Sequence, residues 1–251
     1  GHPEVAQSPC KSGRARTTES ERQEGDKMLT LVYFDVMARG LGPALALERG
    51  GAEWKRDPVP EGNQLKADRA TYPFGQLPIL RDESNGIVVA QTVAIANYIG
   101  RKTNTTGATE AEQALSDMLL CEFETFYSLL GKSFSTANAK ADPKLFAQRR
   151  DIDIPAQLSY LEDILKARGK DGVFTPNAAS VGESLLFSVI HQIVLCLPEI
   201  LAPFATVKAW YDKVLAEPAV HKVLNGESPY GKFVQYFCHP TEEELAPGTD
   251  Q

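Results

Sequence analysis

Apolar and polar positions divide the chain into a short mixed segment and a long helical one, between two polar ends. Folded structure is expected to begin at Met28. Leu29-Thr30-Leu31-Val32-Tyr33-Phe34 is short, apolar and β-prone, the pattern of a strand inside a sheet. Gly40, Gly42 and Pro43 punctuate the next stretch, and Ala44-Leu45-Ala46-Leu47-Glu48-Arg49 reads as a short helix stopped by Gly50-Gly51. Residues 52–72, with Pro58 and Pro60, read as irregular. Leu77-Pro78-Ile79-Leu80 predicts a second strand, Asn85-Gly86 marks a hairpin turn within 82–86, and Ile87-Val88-Val89 returns as the partner strand. Thr92 is placed to cap a helix running through Ala94, Ile95, Tyr98 and Ile99.

Beyond Thr103 the apolar period changes to that of helices. Leu115, Leu119, Phe123, Phe126 and Leu130 recur at steps of three and four, predicting a helix over 110–132. Ile154, Leu158, Leu161 and Leu165 repeat the pattern over 153–168, closed by Gly169. Ser180-Val181-Gly182-Glu183 is a capping-box signature ahead of a run, 185–197, that is apolar on nearly every side and so belongs at the centre of a helical core. Residues 204–215 give a further helix that ends before Pro218. The expected organisation is a polar extension over 1–27, an α/β unit over 28–102, a linker over 103–109, an all-helical unit over 110–238 and an acidic tail over 239–251. Residues 1–27 hold no Leu, Ile, Phe, Met, Trp or Tyr, too little apolar surface to offset ordering. The run Glu242-Glu243-Glu244 reads as part of a solvated tail.

Composition narrows the function classes. The net charge is −7, from 26 Lys+Arg against 33 Asp+Glu, and no basic cluster is present, which argues against nucleic acid as a partner. No run of about 18 apolar residues occurs, so no membrane span is expected. Cys10, Cys121, Cys196 and Cys238 form no CxxC, and the four His are scattered, so no metal site is expected and a disulfide-stapled secreted scaffold is disfavoured. Cys121, Cys196 and Cys238 read as buried thiols, and His191 as a hydrogen-bonded core histidine. The chain reads as cytoplasmic, with an organelle open if a targeting segment has been trimmed from its start.

Three local features carry candidate chemistry, each beside an ordinary reading. Tyr33 ends the first strand with Arg39 six residues on. A strand tyrosine is ordinarily a packing residue, but a phenol at a strand end next to a guanidinium also suits an anion. In Pro73-Phe74-Gly75-Gln76-Leu77-Pro78-Ile79-Leu80, Pro78 must sit at a strand start. It is either an ordinary turn or a cis bond that frees the Leu77 backbone to pair with an extended ligand. Gln91-Thr92 opens a helix, whose N-terminus suits a carboxylate, unless Thr92 serves only as its cap.

The order and spacing of these segments, together with Gln91-Thr92-Val93-Ala94-Ile95-Ala96-Asn97-Tyr98-Ile99, resemble the glutathione S-transferase family, and within it the Tyr-type sigma class that includes glutathione-dependent prostaglandin D synthases. The resemblance extends over residues 29–237. Ser180 with Glu183 resembles the family's capping box, with Glu where Asp is usual, and Lys208-Ala209-Trp210-Tyr211 with Pro218 matches its late helices.

The resemblance implies an α/β thioredoxin-like N-terminal domain followed by an all-α C-terminal domain, and a homodimer. It implies glutathione as co-substrate, with no metal required, and a small hydrophobic electrophile as the second partner. Tyr33 would hydrogen-bond the glutathione sulfur and Arg39 would assist. Leu77, before a cis Pro78, would pair with the cysteinyl part. Gln91 and Thr92 would hold the γ-glutamyl carboxylate, while Gln76 and Arg69 would lie near the glycyl end. Leu65 stands where a tryptophan usually contacts that end, with Trp54 as an alternative. Glu124 from the partner subunit would meet the amino group, although the aligned position is Thr125. Met37, Phe126, Leu130 and Phe237 are candidates for the hydrophobic substrate pocket, with Phe134 nearby. Phe126, Leu130 and Phe134 are also the residues that would fill the helical core. The implied function is conjugation of glutathione to electrophiles, with glutathione-dependent isomerisation or peroxide reduction alongside. The alternative is a non-catalytic ligand-binding or structural protein on the same fold. A reductase working through its own thiol is disfavoured, because residues 28–120 contain no Cys.

Overall fold

The computed structural model describes residues 28–168, 173–176 and 179–245. A four-stranded mixed sheet with strand order β2-β1-β3-β4 opens the chain. Strand β1 (Leu29–Val32) lies inside it, parallel to β2 (Trp54–Asp57) and antiparallel to β3 (Ile79–Asp82), which pairs in turn with β4 (Ile87–Ala90). Side chains alternate between the two faces. Leu29, Leu31 and Leu80 join the main core, while Val32 and Ile79 join Tyr72 in a smaller cluster on the other face. Both faces of β1 are therefore covered, which explains its unbroken apolar run.

Helices α1 (Leu41–Arg49) and α3 (Thr92–Thr103) pack on each other in this unit, and a single turn, α2 (Gln64–Ala67), lies between β2 and β3. Helix α1 begins three residues before its expected start, because Pro43 falls in the first turn, where a missing N–H costs nothing. Strand β2 lies in a segment expected to be irregular. Its sequence Trp-Lys-Arg-Asp is polar because it is an edge strand, and its charges are paired: Arg56 with Asp35, and Asp57 with Arg81. Thr92 does not cap α3. Gln91 occupies the cap position, and Thr92 is the first helical residue.

The helical unit comprises α4 (Glu110–Gly131), α5 (Thr136–Ala141), α6 (Pro143–Gln148), a π-helical turn (Arg149–Asp153), α7 (Ile154–Arg168), α8 (Val181–Cys196), α9 (Ala205–Leu215) and α10 (Pro218–Leu224). A last turn, α11 (Glu242–Leu245), falls in the segment expected to be a solvated tail; Glu244 there is exposed and binds the Thr241 N–H at 2.7 Å. The expected stop at Gly169 and the extension over 1–27 lie outside the described residues. Pro218 does more than end the preceding helix: it takes the first position of α10. The short helices α5 and α6 were not expected; Ser135 and Asp142 cap them.

Helix α8 is buried over most of its length and packs on α4 and on α1, so it joins the two units. Its close approach to α4 needs Gly182, where a Cβ would lie 2.3 Å from the Ser116 carbonyl oxygen. Both halves of the capping box form: the Ser180 hydroxyl accepts the Glu183 N–H at 3.2 Å, and the Glu183 carboxylate reaches back to the Ser180 N–H at 3.4 Å. That carboxylate, 1% exposed, also accepts the Phe174 N–H at 2.9 Å, the Thr175 hydroxyl at 2.5 Å and the Trp210 Nε1–H at 3.1 Å.

His191 is hydrogen-bonded as expected, with Nδ1 2.8 Å from the Tyr211 hydroxyl, and burial brings its pKa down to about 4. The cysteines depart from expectation. Among the described cysteines Cys196 is buried, its thiol pushed up to about 12 by burial, while Cys121, on the outer face of α4, and Cys238 are exposed.

Removing the Glu183 carboxylate would strand several buried donors at about 1 kcal/mol or more each. Glu183→Ala is expected to lower the unfolding free energy by about 3 kcal/mol. The measurement is the urea midpoint, and an unshifted midpoint would contradict this role.

Candidate functional site

The chain leaves β1 at Tyr33 and turns into α1 through Arg39 and Gly40. The turn is closed by an approach only glycine allows: a Cβ on Gly40 would meet Tyr33 Cδ1 at 2.2 Å. The ring of Tyr33 is buried, and its hydroxyl accepts the Arg39 N–H at 3.1 Å. With an acceptor lone pair used, the phenolic proton is left to be donated. Burial raises the Tyr33 pKa above its ordinary value, against the lowering effects of the Arg39 amide and guanidinium. The phenol is therefore a proton-bearing donor at neutral pH.

Arg39 is held from the helical unit. Its guanidinium makes a two-point pair with Glu124 of α4, at 2.6 and 2.8 Å, and lies over the Tyr127 ring at 4.0 Å. Burial opposes its charge, but the Glu124 carboxylate outweighs burial and raises its pKa. Glu124 and Tyr127 stand three residues apart and so share a helix face. Tyr127 was not anticipated, although that spacing was its signal.

Arg39 and Glu124 border a cleft of about 460 Å³ between the sheet unit and α4. Of the residues expected at a site, Arg39, Leu65, Gln76, Leu77, Pro78, Gln91, Thr92 and Glu124 all line it; Phe34, Gly75 and Ala90, not anticipated, complete it. The Leu77–Pro78 bond is cis, and Pro78 stands immediately before β3. Gln91 adopts φ +74°, a left-handed conformation costly for a residue with a Cβ. Thr92 is 2% exposed, and its Oγ1 has no hydrogen-bond partner. A strained residue followed by an orphaned hydroxyl, both at the N-terminus of a twelve-residue helix, is a fitting end for a carboxylate.

Other expected positions fall elsewhere. Tyr33 lies behind the cleft lining, against the Arg39 backbone. Arg69 is exposed and stands beside the cleft, its Nη1 3.0 Å from where a Gly75 Cβ would be. Trp54 is buried, bonded through Nε1 to Glu48 at 2.9 Å, and takes no part in the cleft. Glu124, expected to reach across a subunit interface, lies in its own chain's cleft. Phe126, Leu130 and Phe134 are not pocket residues: each is at most 1% exposed, because the apolar stripe of α4 faces the core. Met37 is half-buried against that core, and Phe237 is buried with its ring 5.4 Å from that of Tyr127. Among the described residues no cluster of three potential metal ligands occurs, and no helix is long and apolar enough to cross a membrane.

Residues 124–227 match the family described as Glutathione S-transferase, C-terminal domain. The chain is 27% identical to Glutathione S-transferase 1 of Ascaris suum, over 80% of this chain and 98% of that protein. It is 32% identical to the hematopoietic prostaglandin D synthase of Gallus gallus, over 76% of this chain and 92% of that protein. The chain belongs to the glutathione S-transferase family. Among solved structures, the prostaglandin synthase D of Nilaparvata lugens superposes with a TM-score of 0.66 at 25% identity, covering 79% of this chain and 97% of that one. The mixed sheet followed by helices is thus the thioredoxin-like plus all-α architecture of glutathione S-transferases.

Because Gly40 carries the Tyr33 ring, Gly40→Ala is expected to cost about 1–3 kcal/mol through overpacking. Denaturation in urea measures it, and a cost near zero would mean that the ring has another place to go.

Proposed function

We propose that this chain is a glutathione transferase that ionises the glutathione thiol with Tyr33 and adds it to small hydrophobic electrophiles. The observation that carries this reading is the Tyr33 hydroxyl, which accepts the Arg39 N–H at 3.1 Å and keeps its own proton for donation. A free thiol has a pKa of about 8.5, so only a few per cent is thiolate at neutral pH. A hydrogen bond donated to sulfur favours the anion. Tyr33 serves as that donor rather than as a base, since burial keeps it protonated.

The rest of the cleft fits an extended tripeptide with two carboxylates and one ammonium. Thr92 Oγ1, Gln91 and the α3 N-terminus take the γ-glutamyl carboxylate. Leu77 pairs its backbone with the cysteinyl part. Gln76, Arg69 and Leu65 stand near the glycyl end, and Glu124 offers a carboxylate for the ammonium group. Positioned from both ends, the sulfur is held at Tyr33 in a reactive orientation. The electrophile enters from the side of Met37 and Phe237.

The likeness to prostaglandin D synthases supports a sigma-class assignment and a glutathione-dependent isomerase or peroxidase activity beside conjugation. We place residues 28–102 as the glutathione-binding domain and 110–238 as the domain walling the second substrate, in a cytoplasmic homodimer with a role in detoxification. The exposed Phe74 and Met118 supply apolar surface for the dimer contact.

Tyr33→Phe is expected to reduce conjugation near pH 6.5 by roughly 10- to 100-fold. The deficit should shrink toward pH 9, where the thiol ionises unaided. An activity and pH profile equal to wild type would refute the role. Thr92→Val separates binding from stability. Removing an orphaned hydroxyl should raise the stability of the free protein by up to about 1 kcal/mol while weakening glutathione binding about tenfold. Calorimetric titration beside thermal unfolding checks both, and unchanged affinity would detach Thr92 from the ligand.

A further inference from the structure

Helix α8 packs so closely on the start of α1 that a Cβ on Gly42 would lie 3.0 Å from the Ser188 Oγ. Gln192 stands one helical turn beyond Ser188, on the same face of α8. It is 1% exposed, in a run that is apolar on nearly every side. Its Nε2 donates to the Ala38 carbonyl and to the Ser188 carbonyl, each at 3.1 Å. Both partners are acceptors, so they set which end of the amide faces them. Oε1 of the same amide is buried without a hydrogen-bond partner. An orphaned acceptor at this depth is a cost that an apolar side chain of similar length would avoid.

The Gln192 amide holds one peptide unit of the turn that leaves β1. The carbonyl of that unit belongs to Ala38 and its N–H to Arg39, and this N–H is the donor to the Tyr33 hydroxyl at 3.1 Å. In a trans peptide the C=O and N–H point in opposite directions, so fixing one fixes the other. Local preference does not set the direction here. Ala38 is buried at φ +24°, outside the regions that a residue with a Cβ favours. Turned over, the unit would present its carbonyl to the Tyr33 hydroxyl, and an acceptor there would take the phenolic proton. A hydrogen bond on the carbonyl also polarises the unit and strengthens donation at its N–H.

We propose that Gln192 is a positioning residue for thiol activation: by holding the Ala38 carbonyl it keeps the Arg39 N–H on the Tyr33 hydroxyl, which leaves the phenolic proton for the glutathione sulfur. The inference rests on the reading of Tyr33 as the thiol-activating donor. Gln192 lies outside the cleft lining and acts only through the peptide unit it holds. Its loss therefore changes thiol ionisation and leaves glutathione affinity alone.

The test uses the full chain with glutathione and benzyl chloride. Gln192→Met is close to volume-conserving and removes the donors together with the orphaned acceptor. The ultraviolet absorbance of the bound thiolate, followed against pH, is expected to show a thiol pKa raised by about half to one unit. The kcat/KM near pH 6.5 falls about 3- to 10-fold and recovers toward pH 9, while the Kd for glutathione stays within about twofold. In the Tyr33→Phe background the same substitution costs less than about twofold, because the hydroxyl it acts through is gone. A loss that persists at pH 9, or that multiplies with the Tyr33→Phe loss, marks a merely structural role and overturns the proposal. Wild-type thiol ionisation in Gln192→Met overturns it as well. Should Gln192→Met not fold, Gln192→Asn, whose amide falls one methylene short of the carbonyl, is judged by the same measurements. If Tyr33→Phe itself ionises the thiol as wild type does, the reading of Tyr33 fails and this proposal with it. A Tyr33→Phe deficit beside a silent Gln192→Met overturns this proposal alone.

Discussion

A single buried carboxylate organises the helical half of this protein. Glu183 accepts from two backbone amides, a threonine hydroxyl and an indole, and so ties the start of α8 to the segment before it and to α9. An unpartnered carboxylate at this depth would be costly; with four donors it acts as a clamp. Helix α8, fixed at its head, gives α4 and α1 a common surface to pack on. The Gln192 amide in α8 also donates to the Ala38 carbonyl at 3.1 Å, next to Arg39. Arg49 of α1 reaches the other way, to Glu217 at 2.8 and 2.9 Å and to Ser184 at 2.8 Å. Tyr33 and Arg39 on one side, and Glu124 and Tyr127 on the other, keep their relative positions because these contacts hold the two units together.

The cleft shows the opposite economy. The cleft holds Gln91 in a left-handed conformation and, next to it, leaves Thr92 Oγ1 without a partner. Each is a local cost on the order of 1–3 kcal/mol, tolerable only where the surroundings over-determine the geometry. Helix α3, which they open, packs on α1, β3, β4 and α8, and that packing supplies the constraint. A strained residue beside an unpartnered hydroxyl at one helix N-terminus is the arrangement on which the proposed carboxylate site rests.

The parts of the fold legible in the sequence were those where one physical signal dominated. Continuous apolar strands, the Asn85-Gly86 turn, the capping box and the period of α4 and α8 each stand out locally. Strand β2 was not legible, because an edge strand carrying Lys55, Arg56 and Asp57 has no apolar signature, and its partners Asp35 and Arg81 are remote in sequence. Leu77-Pro78 and Gln91-Thr92 stood out as candidates because they sit at element boundaries, but Leu65, Gln76 and Glu124 were expected only through the resemblance to glutathione S-transferases. The apolar wall was not legible for a different reason. On α4, Phe126 and Leu130 have the same composition as a pocket lining, and only packing against α8 assigns them to the core. The segment after α10 has no period at all; its place depends on contacts remote in sequence, such as the bridge between Val36 and Val234 and the Tyr230 hydroxyl on the Phe34 carbonyl.

The pairing of Arg39 with Glu124 changes how the proposed thiol activation would divide between Arg39 and Tyr33. A lone guanidinium about 5 Å from a thiolate would be worth roughly 3 kcal/mol at an effective dielectric near 20, enough to lower a thiol pKa by about two units. Arg39 is not alone. A carboxylate held on it at two points cancels most of that field beyond the pair itself, and screening by solvent in an open cleft removes more. The hydrogen bond proposed from Tyr33 to sulfur would be short-range and would suffer no such cancellation. In the proposed mechanism Arg39 would therefore act on the sulfur chiefly through its backbone, by occupying a lone pair of the Tyr33 hydroxyl and leaving its proton for donation. Its guanidinium serves mainly as the link from the turn after β1 to α4, and Glu124 makes that link rigid at the cost of the charge.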